Sequence, residues 1–263
     1  MGNIFKPFYR RARDKAYSLL PIQTCKEGFK FEGSLDRFEN SADEIGTQIA
    51  IKLLSPKLKR FVNPGANAGY FCLLAEKLGL SCIAFEPEDK MFKRLRKNLA
   101  ANKSSSIAIP AALSNARGTA DFFGTGTAGS LIPGLSGTPS WDKQTVPTIQ
   151  VDQFLGSIQG SELWLMDCEG AEPLIIEGAK NYIQSNKPLF IIEYEPTRDP
   201  EGWRNIIQLF ALLGYSHCAP LSELATQNRT SAFSLDELAK HSGDNILFFD
   251  SIHHREIVTE LFI

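Results

Sequence analysis

Two hydrophobic periodicities alternate along most of the chain, one typical of helices and one typical of strands. In "SADEIGTQIAIKLL", from residue 41, apolar residues recur at helical spacing, and short apolar runs such as "RFVN" predict strands. Ser41 followed by Glu44 predicts a capping box at the start of that helix. Strands that alternate with helices indicate an α/β fold with a parallel sheet covered on both faces.

The predicted elements follow one another without an internal repeat. The later helices are predicted in "YFCLLAEKLG", "EDKMFKRLRKNLAAN", "DQFLGSI", "AEPLIIEGAKNYIQ" and "WRNIIQLFALLG". The extended segments after "RFVN" are predicted in "SCIAFEP", "IAIPAALS", "GTADFF", "TVPTIQV", "ELWLMD", "KPLFIIEYEP", "YSHCAP" and "NILFFD".

Composition narrows the class of protein. A chain of 263 residues, 43% of them hydrophobic, is long enough to bury a full core. Its net charge of −2 gives no reason to expect a nucleic-acid partner. The five cysteines are scattered and never paired as C-x-x-C, which argues against a disulfide framework and a zinc cluster. We find no membrane-spanning apolar run and no signal peptide, and we therefore expect a soluble cytoplasmic protein.

The first twenty residues differ from the rest in charge, with five Lys or Arg against one Asp. Apolar side chains stand among these cations. The segment is therefore either a helix docked on its own domain or an amphipathic segment that makes weak contact with a membrane surface. We expect an N-terminal extension over residues 1–40 and one domain over residues 41–263.

One long segment interrupts the alternation of strands and helices. Residues 124–143, "GTGTAGSLIPGLSGTPSWDK", exceed the length of an ordinary connection. The segment is either a solvated insertion without a role or a lid or wall of a substrate site, with Leu131, Ile132 and Trp141 supplying apolar contacts.

A glycine turn follows the first predicted strand of the domain, in "FVNPGANAGYF". Gly65 and Gly69 enclose Asn67, whereas the dinucleotide fingerprint G-x-G-x-x-G would need a third glycine where Tyr70 stands. Glu86 lies 21 residues after Gly65, at the end of the next strand, where a carboxylate can accept hydrogen bonds from both ribose hydroxyls. Together these features predict a site for an adenosine ligand.

Several stretches in order resemble the FkbM-type S-adenosylmethionine-dependent methyltransferases. They are "NPGANAGYFCLLAEKLG", "AFEPEDKMFKRLRKNL", "AALSNARGTADFF", "GSL" at 129–131, "VDQFL", "LMDCEGAEPLIIEGA" and "KPLFIIEYEP". The resemblance covers about residues 45–215 and implies the class I methyltransferase fold, a Rossmann-like, mostly parallel seven-stranded sheet with S-adenosylmethionine in the first βα crevice. It also implies methyl transfer to a hydroxyl of a sugar, glycolipid or polyketide-type acceptor.

Asn63 and Pro64 depart from this family, which usually shows Asp and an aliphatic residue there. By the resemblance, position 63 lies near the amino-acid end of the cofactor, where Asn can accept a hydrogen bond from the ammonium without adding charge. The resemblance also places Ser114 beside the adenine. The residues expected to bind the cofactor are Asn63, Gly65, Asn67, Gly69, Tyr70, Glu86, Ser114 and Asp167.

Methyl transfer to a hydroxyl requires a base that takes its proton. Asp167 and Glu169 end one predicted strand, and Glu193 and Glu195 end the next, so that each pair points to one side of the sheet. We expect Asp167 to be the catalytic base and Glu169 or Glu195 to accept sugar hydroxyls. Helix capping and a divalent cation are alternative roles for these carboxylates, and no metal is predicted.

Other interpretations stay open at this level. His217 is a weaker candidate base, because a lone His is more often an ordinary hydrogen-bonded residue. An NAD-type or sugar-nucleotide enzyme would use a similar sheet but is disfavoured by the spacing of the glycines. A catalytically silent adenosine-binding protein would also account for Asn63.

Overall fold

The fold centres on a mixed β-sheet that has eight strands within the part of the chain that the structure describes. The computed structural model describes residues 21–124, 129–135, 143–197, 199–241 and 243–262. The strands are β1 (Gln23–Thr24), β2 (Lys30–Phe31), β3 (Leu58–Pro64), β4 (Ser81–Phe85), β5 (Ile107–Ile109), β6 (Ala112–Ser114), β7 (Gly118–Phe123), β8 (Lys143–Gln150), β9 (Ser161–Met166), β10 (Leu189–Tyr194), β11 (His217–Pro220), β12 (Phe233–Ser234) and β13 (Asp244–Phe249). The order in the large sheet is β12-β11-β13-β10-β9-β3-β4-β5.

The predicted count of seven strands is wrong by one. The extra strand, β12, has two residues and pairs antiparallel with β11 at the edge of the sheet. A strand of this length carries no alternating pattern, so the sequence gives no signal for it. The prediction of a mostly parallel sheet is confirmed, because β5, β4, β3, β9 and β10 run parallel and β13 is inserted antiparallel between β10 and β11.

Helices cover both faces of this sheet, as predicted. They are α1 (Asp36–Asn40), α2 (Ala42–Leu54), α3 (Tyr70–Lys77), α4 (Asp89–Ala101), α5 (Glu172–Gly178), α6 (Lys180–Asn186), α7 (Pro200–Leu212), α8 (Ser222–Gln227) and α9 (Arg255–Val258). Successive strand residues point to opposite faces, so Phe61 packs with α2 and α3 while Val62 packs with α5 and α7. The carboxyl ends of the parallel strands therefore meet at one edge, which is where ligands bind in such folds.

A second, three-stranded sheet flanks this edge, in the order β6-β8-β7. The predicted strands "GTADFF" and "TVPTIQV" pair antiparallel as β7 and β8. Phe122 and Val146 form a small cluster of their own, against which Leu131 packs. This sheet carries residues 129–135 toward the end of β9.

Three local predictions are wrong. The segment "DQFLGSI" forms a single 3₁₀ turn, because Asp152 instead accepts the backbone N–H groups of Asn181 and Tyr182 at the start of α6, at 3.2 and 2.8 Å. The helix in "AEPLIIEGAKNYIQ" divides into α5 and α6 after Gly178.

The capping box predicted at Ser41 does not form. The Ser41 hydroxyl bonds to Asp43 and makes no capping bond, and Glu44 pairs with Arg37. A complete capping box occurs instead at Ser234.

Residues 21–40 pack on the domain that follows them. Phe29 and Phe31 are buried and contact the ring of Tyr70 edge-on. The basic segment 1–20 lies outside the described residues, so its proposed contact with a membrane stays a prediction. Within the described part of the chain, no helix is both long and apolar enough to cross a membrane.

Candidate active site

The glycine turn after β3 packs directly on the end of β9. Gly65 has φ +70°, and a Cβ atom added there would lie 2.4 Å from the backbone oxygen of Asp167. Only glycine combines this conformation with such a close approach. Asn67 is also left-handed, with φ 50°, which Asn tolerates better than most residues. The turn thereby presents its backbone to the crevice at the edge of the sheet.

Glu86 lies at the end of β4 and holds this turn in place. Its two carboxylate oxygens accept the backbone N–H groups of Asn67 and Glu88, each at 2.8 Å. The side chain is 5% exposed, and burial raises its pKa to about 7. A carboxylate has about four acceptor positions, so two bonds leave room for two more. Glu86 also lines a cavity.

Two cavities meet at the end of β9, with volumes of about 50 and about 300 Å³. The smaller one, here called the first cavity, combines Glu86 with apolar side chains. These are Pro64, Pro87, Ala112, Leu113, Phe122, Leu131, Ala171 and Ile175. The larger one, the second cavity, is bounded by residues 31–38, Asn63, the glycine turn and Glu44. Gly65, Asn67 and Asp167 border both cavities, so a ligand that occupied both would pass beside Asp167.

Carboxyl groups converge beside Asp167, although the chain is not extended after β9, because Glu169 has φ 53°. Strands β9 and β10 are parallel neighbours, with Met166 opposite Ile192, and this register brings Glu193 beside Asp167. The charges of Asp167 and the other carboxylates, together with burial, raise the pKa of Glu193 well above its ordinary range. Glu193 is therefore protonated at neutral pH.

Glu169 and Glu195 also lie in this cluster, where they border a small cavity with Glu193 and Trp203. Glu172 has a different role, because its Oε1 accepts the backbone N–H of Cys168 at 2.7 Å. Burial raises the pKa of Glu172 to about 7. Among the residues that the structure describes, no group of three or more His, Cys, Asp or Glu side chains is placed to hold a metal ion.

Arg37 and Glu44 belong to the site and are missed by the sequence analysis. Arg37 extends from α1, pairs with Glu44 on α2, and lies 3.4 Å from Asp167 Oδ2. Arg37 and Asp167 are 130 residues apart in sequence. A contact over that distance leaves no local pattern, and the helical spacing around Glu44 suggested a cap instead.

The described part of the long insertion packs against the site. Ser130 donates its hydroxyl to the backbone oxygen of Glu169 at 2.7 Å and exchanges backbone hydrogen bonds with Phe123. Leu131 lines the first cavity. These contacts favour the wall interpretation over an idle insertion for residues 129–135. Trp141 lies outside the described residues.

The remaining predicted residues occupy less direct positions. Tyr70 borders the second cavity with a ring stacked on Phe38 at 3.8 Å, and its hydroxyl lies 2.9 Å from Glu27 Oε2. The Ser114 hydroxyl lies 3.4 Å from Asn115 Oδ1. His217 begins β11, which runs parallel to β10. It therefore lies at the amino ends of the parallel strands, whereas the crevice lies at their carboxyl ends.

The sheet order, the glycine turn and the buried Glu86 define a Rossmann-like fold of the methyltransferase class. The Methyltransferase FkbM domain matches residues 63–218, and the chain therefore belongs to the FkbM methyltransferase family. No curated protein matches the sequence.

Solved structures resemble the fold at low sequence identity. Methyltransferase FkbM from Methylobacillus flagellatus KT is 14% identical with a TM-score of 0.46, covering 73% of this chain and 44% of that one. This chain thus spans less than half of that protein. A methyltransferase from Pyrococcus furiosus is 15% identical with a TM-score of 0.41, covering 80% and 90% of the two chains. A tRNA (uracil-54, C5)-methyltransferase from Pyrococcus abyssi, solved with S-adenosyl-L-homocysteine, is 10% identical with a TM-score of 0.36, covering 75% and 36%.

Proposed function

We propose that this protein is an S-adenosylmethionine-dependent O-methyltransferase that acts on a hydroxyl of a sugar, glycolipid or polyketide-type small molecule. The observation that carries the proposal is the position of Glu86. It is a buried carboxylate with spare acceptor positions at the end of β4, and its cavity opens beside Asp167.

The residues around the first cavity fit the adenosine part of the cofactor. Glu86 would accept hydrogen bonds from the ribose hydroxyls. The apolar side chains of Leu113, Phe122 and Ile175 would contact the adenine. The absence of a side chain at Gly65 lets the backbone approach a ligand closely. When bound, the cofactor supplies a methyl group that its sulfonium already activates.

Asp167 is the base that this geometry favours. It borders both cavities, so an acceptor hydroxyl that reaches the cofactor from either side would pass within its reach. Glu193 is protonated at neutral pH, so it is not available to take the proton of the acceptor hydroxyl. Arg37 lies on the opposite side, 3.4 Å from Asp167 Oδ2, and orients the carboxylate.

Glu169 and Glu195 support a polyhydroxylated acceptor. Both border the small cavity that Glu193 and Trp203 also line. Carboxylates accept hydrogen bonds from hydroxyls, and an aromatic ring offers an apolar surface to the C–H groups of a sugar. We assign these two residues to acceptor binding.

Membership of the methyltransferase family removes the dinucleotide-enzyme alternative. A catalytically silent adenosine-binding protein would bind the cofactor without transferring its methyl group, so a measurement of turnover separates it from the proposed function.

Transfer of labelled methyl from S-adenosylmethionine to a panel of sugars, glycolipids and polyketide-type alcohols tests the proposed function. We expect Asp167→Asn to lower turnover by about 10²–10⁴ and to keep S-adenosylhomocysteine affinity within a few fold, because only the base is lost. Asp236→Asn removes the same charge from an exposed position and should behave as the wild type. Full activity of Asp167→Asn would move the base role to Glu169 or Glu195, and cofactor binding without transfer to any acceptor would favour the silent protein.

A further inference from the structure

Glu44 forms a buried acidic wall of the second cavity. It lies in the first turn of α2, is 4% exposed and lines the cavity together with the glycine turn. Its Oε1 pairs with Arg37, but its Oε2 is buried without a hydrogen-bond partner among the described residues. An unpaired carboxylate oxygen in such a position is costly, which points to a donor supplied by a ligand.

The charges around Glu44 leave it able to bind a further cation. Arg37 is shared between Glu44 and Asp167, so one guanidinium faces two carboxylates, and Asp43 adds a third negative charge nearby. Burial raises the pKa of Glu44 to about 7 in spite of Arg37. A cationic donor at Oε2 would stabilise the ionised form.

Asn63 lines the same cavity but is occupied by structural bonds. Its Nδ2 donates to the backbone oxygen of Leu165 at 2.9 Å, and its Oδ1 lies 3.4 Å from the Cys72 thiol. The side chain is 3% exposed. Position 63 therefore supplies no negative charge to the cavity, although the family resemblance expects an Asp there.

We propose that Glu44 binds the α-ammonium group of S-adenosylmethionine and supplies the charge that Asn63 lacks. This inference rests on the proposed function. Both residues line the second cavity, which joins the adenosine cavity at Gly65 and Asn67. Glu44 lies outside residues 63–218, so the family match assigns it no role.

Two ligands that differ only in the amino-acid group isolate this contact. S-adenosylhomocysteine carries the ammonium, and 5′-methylthioadenosine keeps the adenosine and thioether without it. We expect Glu44→Gln to weaken S-adenosylhomocysteine about tenfold, as one lost charge-assisted hydrogen bond implies, and to leave 5′-methylthioadenosine within twofold, both by calorimetry. Asp236→Asn, which removes a carboxylate charge from an exposed position that lines neither cavity, should leave the ratio of the two affinities unchanged.

The wild type alone provides a second measurement, in case Glu44→Gln does not fold. Ionised Glu44 favours the ammonium, so the ratio of S-adenosylhomocysteine to methylthioadenosine affinity should fall about fivefold from pH 8 to pH 6, as expected for a pKa of about 7 and a tenfold difference between the ionised and neutral forms. Taking the ratio removes the effect of Glu86, since both ligands carry the ribose. Arg37, Asp167 and Asp43 are the charged groups that act on Glu44.

The outcomes separate this inference from the proposed function. Equal weakening of both ligands by Glu44→Gln, or no weakening of either, would overturn the role of Glu44. A ratio that stays flat with pH would do the same. Failure of the wild type to bind either ligand would instead remove the cofactor site itself.

Discussion

Asn63 shows how one buried amide fixes the junction of two strands. Its Nδ2 donates to the Leu165 backbone oxygen, which joins the ends of β3 and β9. Asp cannot donate this bond, and its carboxylate would face the carbonyl oxygen. The departure from the family residue is therefore explained by a structural bond that the sequence does not show.

We expect Asn63→Asp to lower the free energy of unfolding by about 1–3 kcal/mol, because a buried acceptor would face another acceptor. Urea denaturation of the ligand-free protein measures this change. The matched control is Asn102→Asp, because the Asn102 side chain makes two exposed hydrogen bonds with the backbone of Lys30. This substitution should lower the free energy of unfolding by less. An Asn63→Asp protein as stable as the wild type would contradict the structural role of the amide.

The sequence predicts some site residues and misses others for a physical reason. Glu86 and Asp167 follow apolar strands directly, so their place at the carboxyl edge of the sheet follows from local pattern. Arg37 and Glu44 reach the same cavity from helices that precede the glycine turn. Only the packing of α1 and α2 on the sheet determines that position.

At the scale of elements, the break between α5 and α6 depends on a close contact. A Cβ atom at Gly178 would lie 2.1 Å from the backbone oxygen of Ser114, at the end of β6. The apolar pattern of "AEPLIIEGAKNYIQ" continues through this position, so periodicity alone predicts one helix. The close contact with β6 requires glycine at the residue where α5 ends.

We expect Gly178→Ala to destabilise the protein by about 2 kcal/mol or more, because backbone atoms must move to admit the methyl group. Gly156→Ala is the control, since no atom lies within 4 Å of its added Cβ, and it should change stability by less than about 0.5 kcal/mol. Denaturant titration of both variants provides the comparison. Equal stabilities would show that α5 and β6 do not approach each other this closely.

At the scale of the whole molecule, buried carboxyl groups set the pH dependence of stability. Burial raises the pKa values of Glu44, Glu86 and Glu172 to about 7. The charge of Asp167, together with burial, raises the pKa of Glu193 further. These groups stabilise the fold fully below their unfolded pKa near 4.5, and the contribution is lost as pH rises through 7. His254 acts in the opposite direction. Burial lowers its pKa to about 4, so it costs stability only as pH falls from 6.5.

We therefore expect the melting temperature of the ligand-free protein to fall between pH 5 and pH 8. Each carboxyl whose pKa is raised from 4.5 to about 7 contributes up to roughly 3 kcal/mol to this loss, most of it below pH 7. Scanning calorimetry at several pH values measures it. Glu193→Gln keeps a neutral hydrogen-bond donor, so its melting temperature should decline less at the upper end of this pH range. A melting temperature that rises over this interval would contradict the burial of these carboxyls as neutral groups.

The central claim is that Glu86 and the glycine turn bind the cofactor. Calorimetric titration with S-adenosylhomocysteine tests this claim most directly. We expect the wild type to bind with a micromolar or weaker constant and Glu86→Ala to bind at least tenfold more weakly, because charge-assisted bonds to the ribose are lost. Glu86→Gln keeps one acceptor oxygen for the turn, so its affinity should lie between those of the wild type and Glu86→Ala. Equal affinity in all three proteins would remove Glu86 from the site, and no binding by the wild type would contradict the cofactor assignment.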